Sequence, residues 1–227
     1  MRRAALLAAL ASLCAACGSS KGDTRAAAQA PARGRPAFVA RVDNAWFPLP
    51  RGTVWIYRGM KDGEPSRDVV RVERVTRAID GVRCVSVSDR LYERGRLAER
   101  TTDWYAQDAT GTVWYFGEDT AELDRSGHVT STEGTWQSGV DHARAGVFMP
   151  ATPHVGQSFR QEYLKGHAED HFQVVSVTGR RLVTKEWTPL EPGVVDHKVY
   201  VRGIGLVKEE TVRGGDERAV LTAVRRR

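Results

Sequence analysis

Cysteine is scarce in this chain: three in 227 residues, at positions 14, 17 and 84. That number cannot supply the disulfide framework of a small secreted scaffold. Phosphate-binding loops of the Gly-x-x-x-x-Gly-Lys type are missing, and no dinucleotide fingerprint joins a strand to a helix, which argues against nucleotide chemistry. Nor is there a block of like charge. The 34 Lys and Arg against 28 Asp and Glu give +6, with bases and acids interleaved as in Arg71, Glu73, Arg74 and in Glu93, Arg94, Arg96, Glu99, Arg100. A nucleic-acid footprint needs clustering, so no nucleic-acid partner is expected, and the closing Arg225–Arg227 reads as a solvated tail. The apolar run Ala4 to Leu13 is too short to span a bilayer permanently, and no other segment qualifies.

That short run has another use. Positive Arg2 and Arg3, the apolar stretch, and small Ala15 and Ala16 form a secretory signal peptide over residues 1–16. The string Leu13-Cys-Ala-Ala-Cys17 resembles the lipobox of bacterial lipoproteins, with Cys14 standing where that pattern has Leu. The resemblance implies that Cys17 becomes the acylated first residue of the mature chain; a plainly cleaved signal is the alternative. Two or three palmitate-like chains would anchor the protein durably, at about 0.8 kcal/mol per buried methylene. The expected location is extracytoplasmic, on the cell membrane or the outer membrane, and Gly18 resembles outer-membrane sorting in some Gram-negative bacteria. The Cys14–Cys17 spacing is not a redox pair or half a zinc site, since Cys14 leaves with the signal and a thioether removes the Cys17 thiolate. Cys84 then remains, expected as a small buried hydrophobe.

Loss of Arg2 and Arg3 leaves a net charge of +4. Residues 17–36 are rich in Ala, Gly, Ser and Pro with no apolar period, which predicts a flexible tether. Residues 37–227 suit a single domain with a sizeable core. There, apolar alternation of period two is cut by turn dipeptides: Asp62-Gly63, Asp80-Gly81, Arg94-Gly95, Thr110-Gly111, Ser126-Gly127, Thr178-Gly179 and Gly214-Gly215. Such punctuation predicts antiparallel hairpins. Several strands are apolar on both faces, as where Val54 and Ile56 alternate with Trp55 and Tyr57, so both sides of the sheet need cover. The predicted fold is mainly β, a single antiparallel meander of ten to twelve strands forming an open barrel or strongly curved sheet. A short helix or loop over Val140 to Thr152 is expected to cover one side.

The stretch Phe47-Pro-Leu-Pro-Arg-Gly-Thr-Val-Trp-Ile-Tyr57 resembles the opening of an uncharacterised family of exported bacterial proteins. Asp103-Trp-Tyr-Ala-Gln-Asp108 and Gly111-Thr-Val-Trp-Tyr-Phe-Gly-Glu-Asp119 extend that resemblance, which covers roughly residues 42–210. The segment from Val177 to Leu182 is shorter than the family's. The resemblance implies no activity. By fold-level analogy the meander is also similar to periplasmic lipoprotein-sorting carriers, whose concave side holds acyl chains.

Catalytic motifs are weak. Gly156-Gln-Ser158-Phe-Arg160 lacks the second glycine of a nucleophile elbow. Adjacent acids, Glu118-Asp119, Glu169-Asp170 and Glu209-Glu210, point to opposite faces of a strand. A glycosidase pair would therefore have to meet across strands, and solvated turn and edge acids are the simpler reading. His167, Glu169 and His171 form the best metal candidate, yet on a strand the two histidines lie about 13 Å apart. Asp119, Glu122 and Asp124 match no EF-hand spacing. No metal or cofactor is expected.

Aromatics carry the most weight: Trp46, Trp55, Tyr57, Trp104, Tyr105, Trp114, Tyr115 and Trp187 recur through the strands. Such rings either fill a core or line a cavity for an apolar ligand. The leading expectation is a non-enzymatic, lipid-anchored module binding or shielding a lipid-like ligand through Trp55, Tyr57, Trp104, Trp114, Tyr115 and Trp187. An envelope hydrolase using acids among Asp103, Glu133, Glu162 and Glu186 is the alternative, and a structural or protein-binding module the third.

Overall fold

A computed structural model of the chain describes residues 36–226. The expected signal peptide, Cys17 and all of the expected tether but Pro36 lie outside the described residues. Sixteen strands follow: β1 (Phe38–Val39), β2 (Val54–Lys61), β3 (Glu64–Ile79), β4 (Val82–Glu93), β5 (Arg96–Asp108) and β6 (Val113–Leu123) come first. Next are β7 (Val129–Ser131), β8 (Trp136–Gln137), β9 (Arg144–Met149), β10 (Ser158–Arg160) and β11 (Glu162–Tyr163). The last five are β12 (His171–Val177), β13 (Arg181–Trp187), β14 (Val195–Val201), β15 (Gly205–Arg213) and β16 (Arg218–Arg225). Eleven exceed three residues, within the expected range; the other five are short pairings that the apolar period is too brief to reveal.

The strands form one antiparallel sheet, nearly closed into a barrel with one unsealed seam. Three successive hairpins turn on Asp62-Gly63, Asp80-Gly81 and Arg94-Gly95, where both residues have positive φ. That is the type I′ geometry whose twist matches paired strands. Further along, a tight turn from Thr178 to Arg181 joins β12 to β13. The sheet's two edges belong to one stretch of chain: β10 pairs with β12, and after Gln161 the chain continues as β11, which pairs with β9. Gly146 on β9 makes this approach feasible, because a Cβ there would sit 2.2 Å from the Gln161 carbonyl oxygen.

The expected cover over residues 140–152 is placed differently. Among the described residues there is no helix, and much of that segment becomes β9, paired with β6. Residues 42–53 provide the cover, burying Val42, Trp46 and Leu49 in the barrel core. This loop is pinned by side chains: Gln107 accepts hydrogen bonds from the Asp43 and Asn44 amides, and Asn44 donates to the Gly111 and Pro150 carbonyls. The Gly and Pro content of 140–152 misled the reading, since Gly146 serves the seam and Pro150 follows the strand.

Both faces are covered, as the two-faced strands require. Inside, Tyr57, Val72, Val87, Phe172, Leu182 and Tyr200 belong to one core. Outside, Ile79, Val82, Cys84, Trp104 and Phe116 form a second, packed by Phe38 and Trp114. Cys84 is fully buried there, and burial pushes its thiol up to about 12, the inert state expected of it.

Strand alternation sorts charge as well as hydrophobicity. Arg67-Asp68, Asp89-Arg90 and Glu99-Arg100 each bury the acid and turn the arginine to the opposite face. Arg58 faces Arg67, and Arg90 faces Arg100, across neighbouring strands. In these three pairs, base and acid adjacent in sequence are thus placed on opposite faces.

Candidate functional site

Inside the barrel lies a cavity of about 100 Å³. One wall is aromatic. Tyr105 of β5 and Tyr115 of β6 stack with centroids 4.9 Å apart, Phe148 of β9 packs edge-on to Tyr105 at 4.8 Å, and Phe47 of the covering loop meets Phe148 at 4.5 Å. Trp55 and Tyr57 of β2 line the cavity too, their polar tips satisfied by donation to the Ile204 and Leu206 carbonyls at 2.9 and 3.0 Å. The rings therefore offer apolar faces while their polar atoms are spent on the barrel itself.

The rest of the lining is acidic: Asp103, Glu118, Glu162, Asp170 and Glu186, with Lys198 among them. Register explains the gathering. Asp103 on β5 stands directly opposite Glu118 on β6, and a bulge next to them shifts the alternation so that Tyr115 and Glu118 share the inner face. Gly117 makes that bulge with φ 130°; a Cβ there would lie 2.2 Å from the Trp136 carbonyl oxygen.

The Tyr115 hydroxyl lies 2.8 Å from Asp103 Oδ1 and 3.1 Å from Glu118 Oε2. It has one proton and donates to one carboxylate at a time. Burial, and then the two acids, hold its pKa well above the ordinary value, so it stays a donor. Glu162 accepts from Trp136 Nε1 at 3.2 Å through Oε1, while its buried Oε2 has no hydrogen-bond partner. Burial first, and the charges of Asp170 and Glu118 second, push Glu162 well above the carboxylate range. Asp170 is raised to about 6 by burial, with Lys198 opposing. Lys198 Nζ sits 2.5 Å from Glu186 and 3.7 Å from Glu209. Burial works to lower its pKa, and the two glutamates outweigh burial, so the ammonium is retained.

The structure divides the six aromatics expected to bind ligand. Trp55, Tyr57 and Tyr115 line the cavity. Trp104 and Trp114 belong to the outer cluster, with Arg77 stacked 4.2 Å over Trp104 and Trp114 donating to Asp108. Trp187 stacks on His171 at 5.4 Å. Of the four candidate acids, Asp103, Glu162 and Glu186 meet at the cavity, and Glu133 is exposed in a turn.

Sequence reasoning missed Glu118, Asp170 and Glu209 by taking the paired acids as solvated. Each pair instead splits. Glu118 and Glu209 are buried while Asp119 is exposed and Glu210 pairs with Lys208; Asp170 lines the cavity while Glu169 pairs with Arg160. The period-two rule, applied to charges as to apolar residues, separates the two acids of a strand pair, but the bulge at Gly117 decides which face Glu118 takes and Asp170 lies outside the strands.

His167 lies in an exposed turn, and among the described residues no group of three or more His, Cys, Asp or Glu is placed to hold a metal ion. Asp124 caps its own turn, accepting from the Ser126 and His128 amides. Ser158 donates to the Phe172 carbonyl.

No protein-family model matches the chain, and no curated protein does. A solved structure described as a "putative lipoprotein" from Parabacteroides distasonis is similar over 80% of this chain and 99% of its own, at 11% identity and a TM-score of 0.41. A likeness that distant carries no argument about function.

Proposed function

We propose that this protein is a non-enzymatic extracytoplasmic lipoprotein, anchored to a membrane through Cys17, that houses a small ligand inside its barrel. The observation that carries the reading is the internal cavity, with an aromatic wall on one side and carboxylates on the other. Its size narrows the ligand. Pockets for drug-sized molecules run to about 300–1,000 Å³, well above the 100 Å³ here, so the cavity suits a compact molecule and not a whole acyl chain. The test is mass spectrometry of an organic extract of the full chain purified from its native envelope. A reproducible small molecule absent from an unrelated lipoprotein supports the reading; an extract matching that control overturns it.

An envelope hydrolase is the second reading, favoured by one observation: Asp103, Glu162 and Glu186 line a single cavity. A carboxyl whose pKa is raised by burial, as that of Glu162 is, has the tendency a general acid needs. Against it, Glu186 is engaged by Lys198 at 2.5 Å, and the cavity has little room for a polymer with its water. Release of reducing sugar or free acid from envelope material by the wild type, lost in Glu162→Gln, would favour it over simple binding.

A further inference from the structure

Resting on the reading of the cavity as a ligand site, we infer that its ligand is a small organic cation, a substituted ammonium group with a compact apolar body. Two independent features of the lining lead there. The first is an imbalance of charge in the lining. Glu162 is only 4% exposed, lines the cavity, and keeps its buried Oε2 without a hydrogen-bond partner. Asp170, from the loop before β12, lines the same cavity, and its buried Oδ1 also has no hydrogen-bond partner. Lys198, the cation in the lining, is committed to Glu186 and Glu209. Buried carboxylate oxygens without donors are costly, and an ammonium group supplies both donors and charge.

The second feature is the wall itself. Tyr105, Tyr115 and Phe148 form a cluster with centroids 4.8–5.7 Å apart, and Trp55 and Tyr57 complete the aromatic lining. Ring faces attract cations more strongly once water is excluded, and aromatic walls beside carboxylates are the chemistry that recognises substituted ammonium ions. A neutral lipid would leave Glu162 Oε2 and Asp170 Oδ1 unanswered. A bare metal ion would use neither the rings nor any ligand set among the described residues.

The experiment titrates the full mature chain in mild detergent with tetramethylammonium, n-butylammonium and the neutral n-pentanol at constant ionic strength, followed by tryptophan fluorescence and calorimetry. At least one ammonium probe should bind saturably and at least tenfold more tightly than pentanol, and Glu162→Gln should weaken it at least tenfold. Gln keeps an acceptor for Trp136, so the variant is expected to fold; Asp170→Asn, with the same expected loss, serves if it does not. Pentanol binding as tightly as both ammonium probes, or affinity unchanged in the folded variant, overturns the cation assignment and leaves the cavity as a site for neutral molecules. If none of the three probes binds and the native extract is also empty, the ligand-binding reading falls together with this one.

Discussion

Lys198 is a cation placed where its loss is most easily read. It lies between Glu186 and Glu209, 2.5 and 3.7 Å away. Removing one partner of a buried pair leaves uncompensated charge and costs about 3–5 kcal/mol. Lys198→Met should therefore lower stability by that order in urea denaturation at pH 7.5, with a smaller loss at lower pH, because burial raises the Glu209 pKa and favours its uptake of a proton. Glu162→Gln should act in the other direction. It removes one charge from a crowd of acids while sparing the Trp136 bond, so stability at pH 7.5 should be unchanged or about 1 kcal/mol higher.

The pH dependence follows from the same groups. Asp170, Glu162 and Glu209 have folded-state pKa values raised above ordinary carboxylates, chiefly by burial. The folded state then binds more protons than the unfolded one between the two values, and stability falls as pH rises through that window. For Asp170 the window runs from 3.8 to about 6. His171, lowered chiefly by burial, acts oppositely below 6.5, and so do the carboxylates of Asp43, Glu64, Asp124 and Glu210 at still lower pH, held down mainly by hydrogen bonds. With three buried acids outweighing one half-buried histidine, the melting temperature should rise from pH 7.5 to about pH 5 and fall again below pH 4. A melting temperature that only declines on acidification would contradict the acid-filled interior.

At the scale of strands and turns, much was legible in sequence because the code is local. Asp-Gly and Arg-Gly pairs fix hairpins by their positive φ, and period two assigns faces. What escaped depends on non-local geometry. The bulge at Gly117 moves Glu118 to the inner face, and nothing in Phe116-Gly117-Glu118 announces which strand it must accommodate. Gly146 looks like a strand breaker and is instead the residue that lets β9 approach Gln161. Gly146→Val should cost about 1–3 kcal/mol or more by overpacking. It should also speed amide exchange in β9 and β11 well beyond the global change, because this contact brings the barrel's two edges together. Exchange rising uniformly over all strands would instead mark a general packing defect. The same locality misled the reading of charge. Interleaving showed only that no block of like charge runs along the sequence, whereas a strand turns Asp68, Asp89 and Glu99 inward and Arg67, Arg90 and Arg100 to the opposite face.

For the whole molecule, the account joins an address to a cavity. The proposed address rests on Cys17 and the signal expected before it, and Cys17→Ala should shift the protein from the membrane fraction to the soluble extracytoplasmic fraction with its melting temperature unchanged. Retention in the membrane fraction would show that something other than the acyl chains holds it. The cavity was only partly readable: three of the six expected aromatics and three of the four expected acids meet there. Cross-strand register, which brings Asp103 opposite Glu118, is written in no single segment. The central claim is that the barrel interior is a ligand site and not merely an imperfect core. Its most direct test is a crystal structure of the full chain purified from its own envelope. The account predicts non-protein density bounded by Tyr115, Phe148 and Glu162, within bonding distance of Glu162 Oε2. A cavity holding ordered water alone, or closed by collapse of Phe148 and Tyr105 onto the acids, would contradict it.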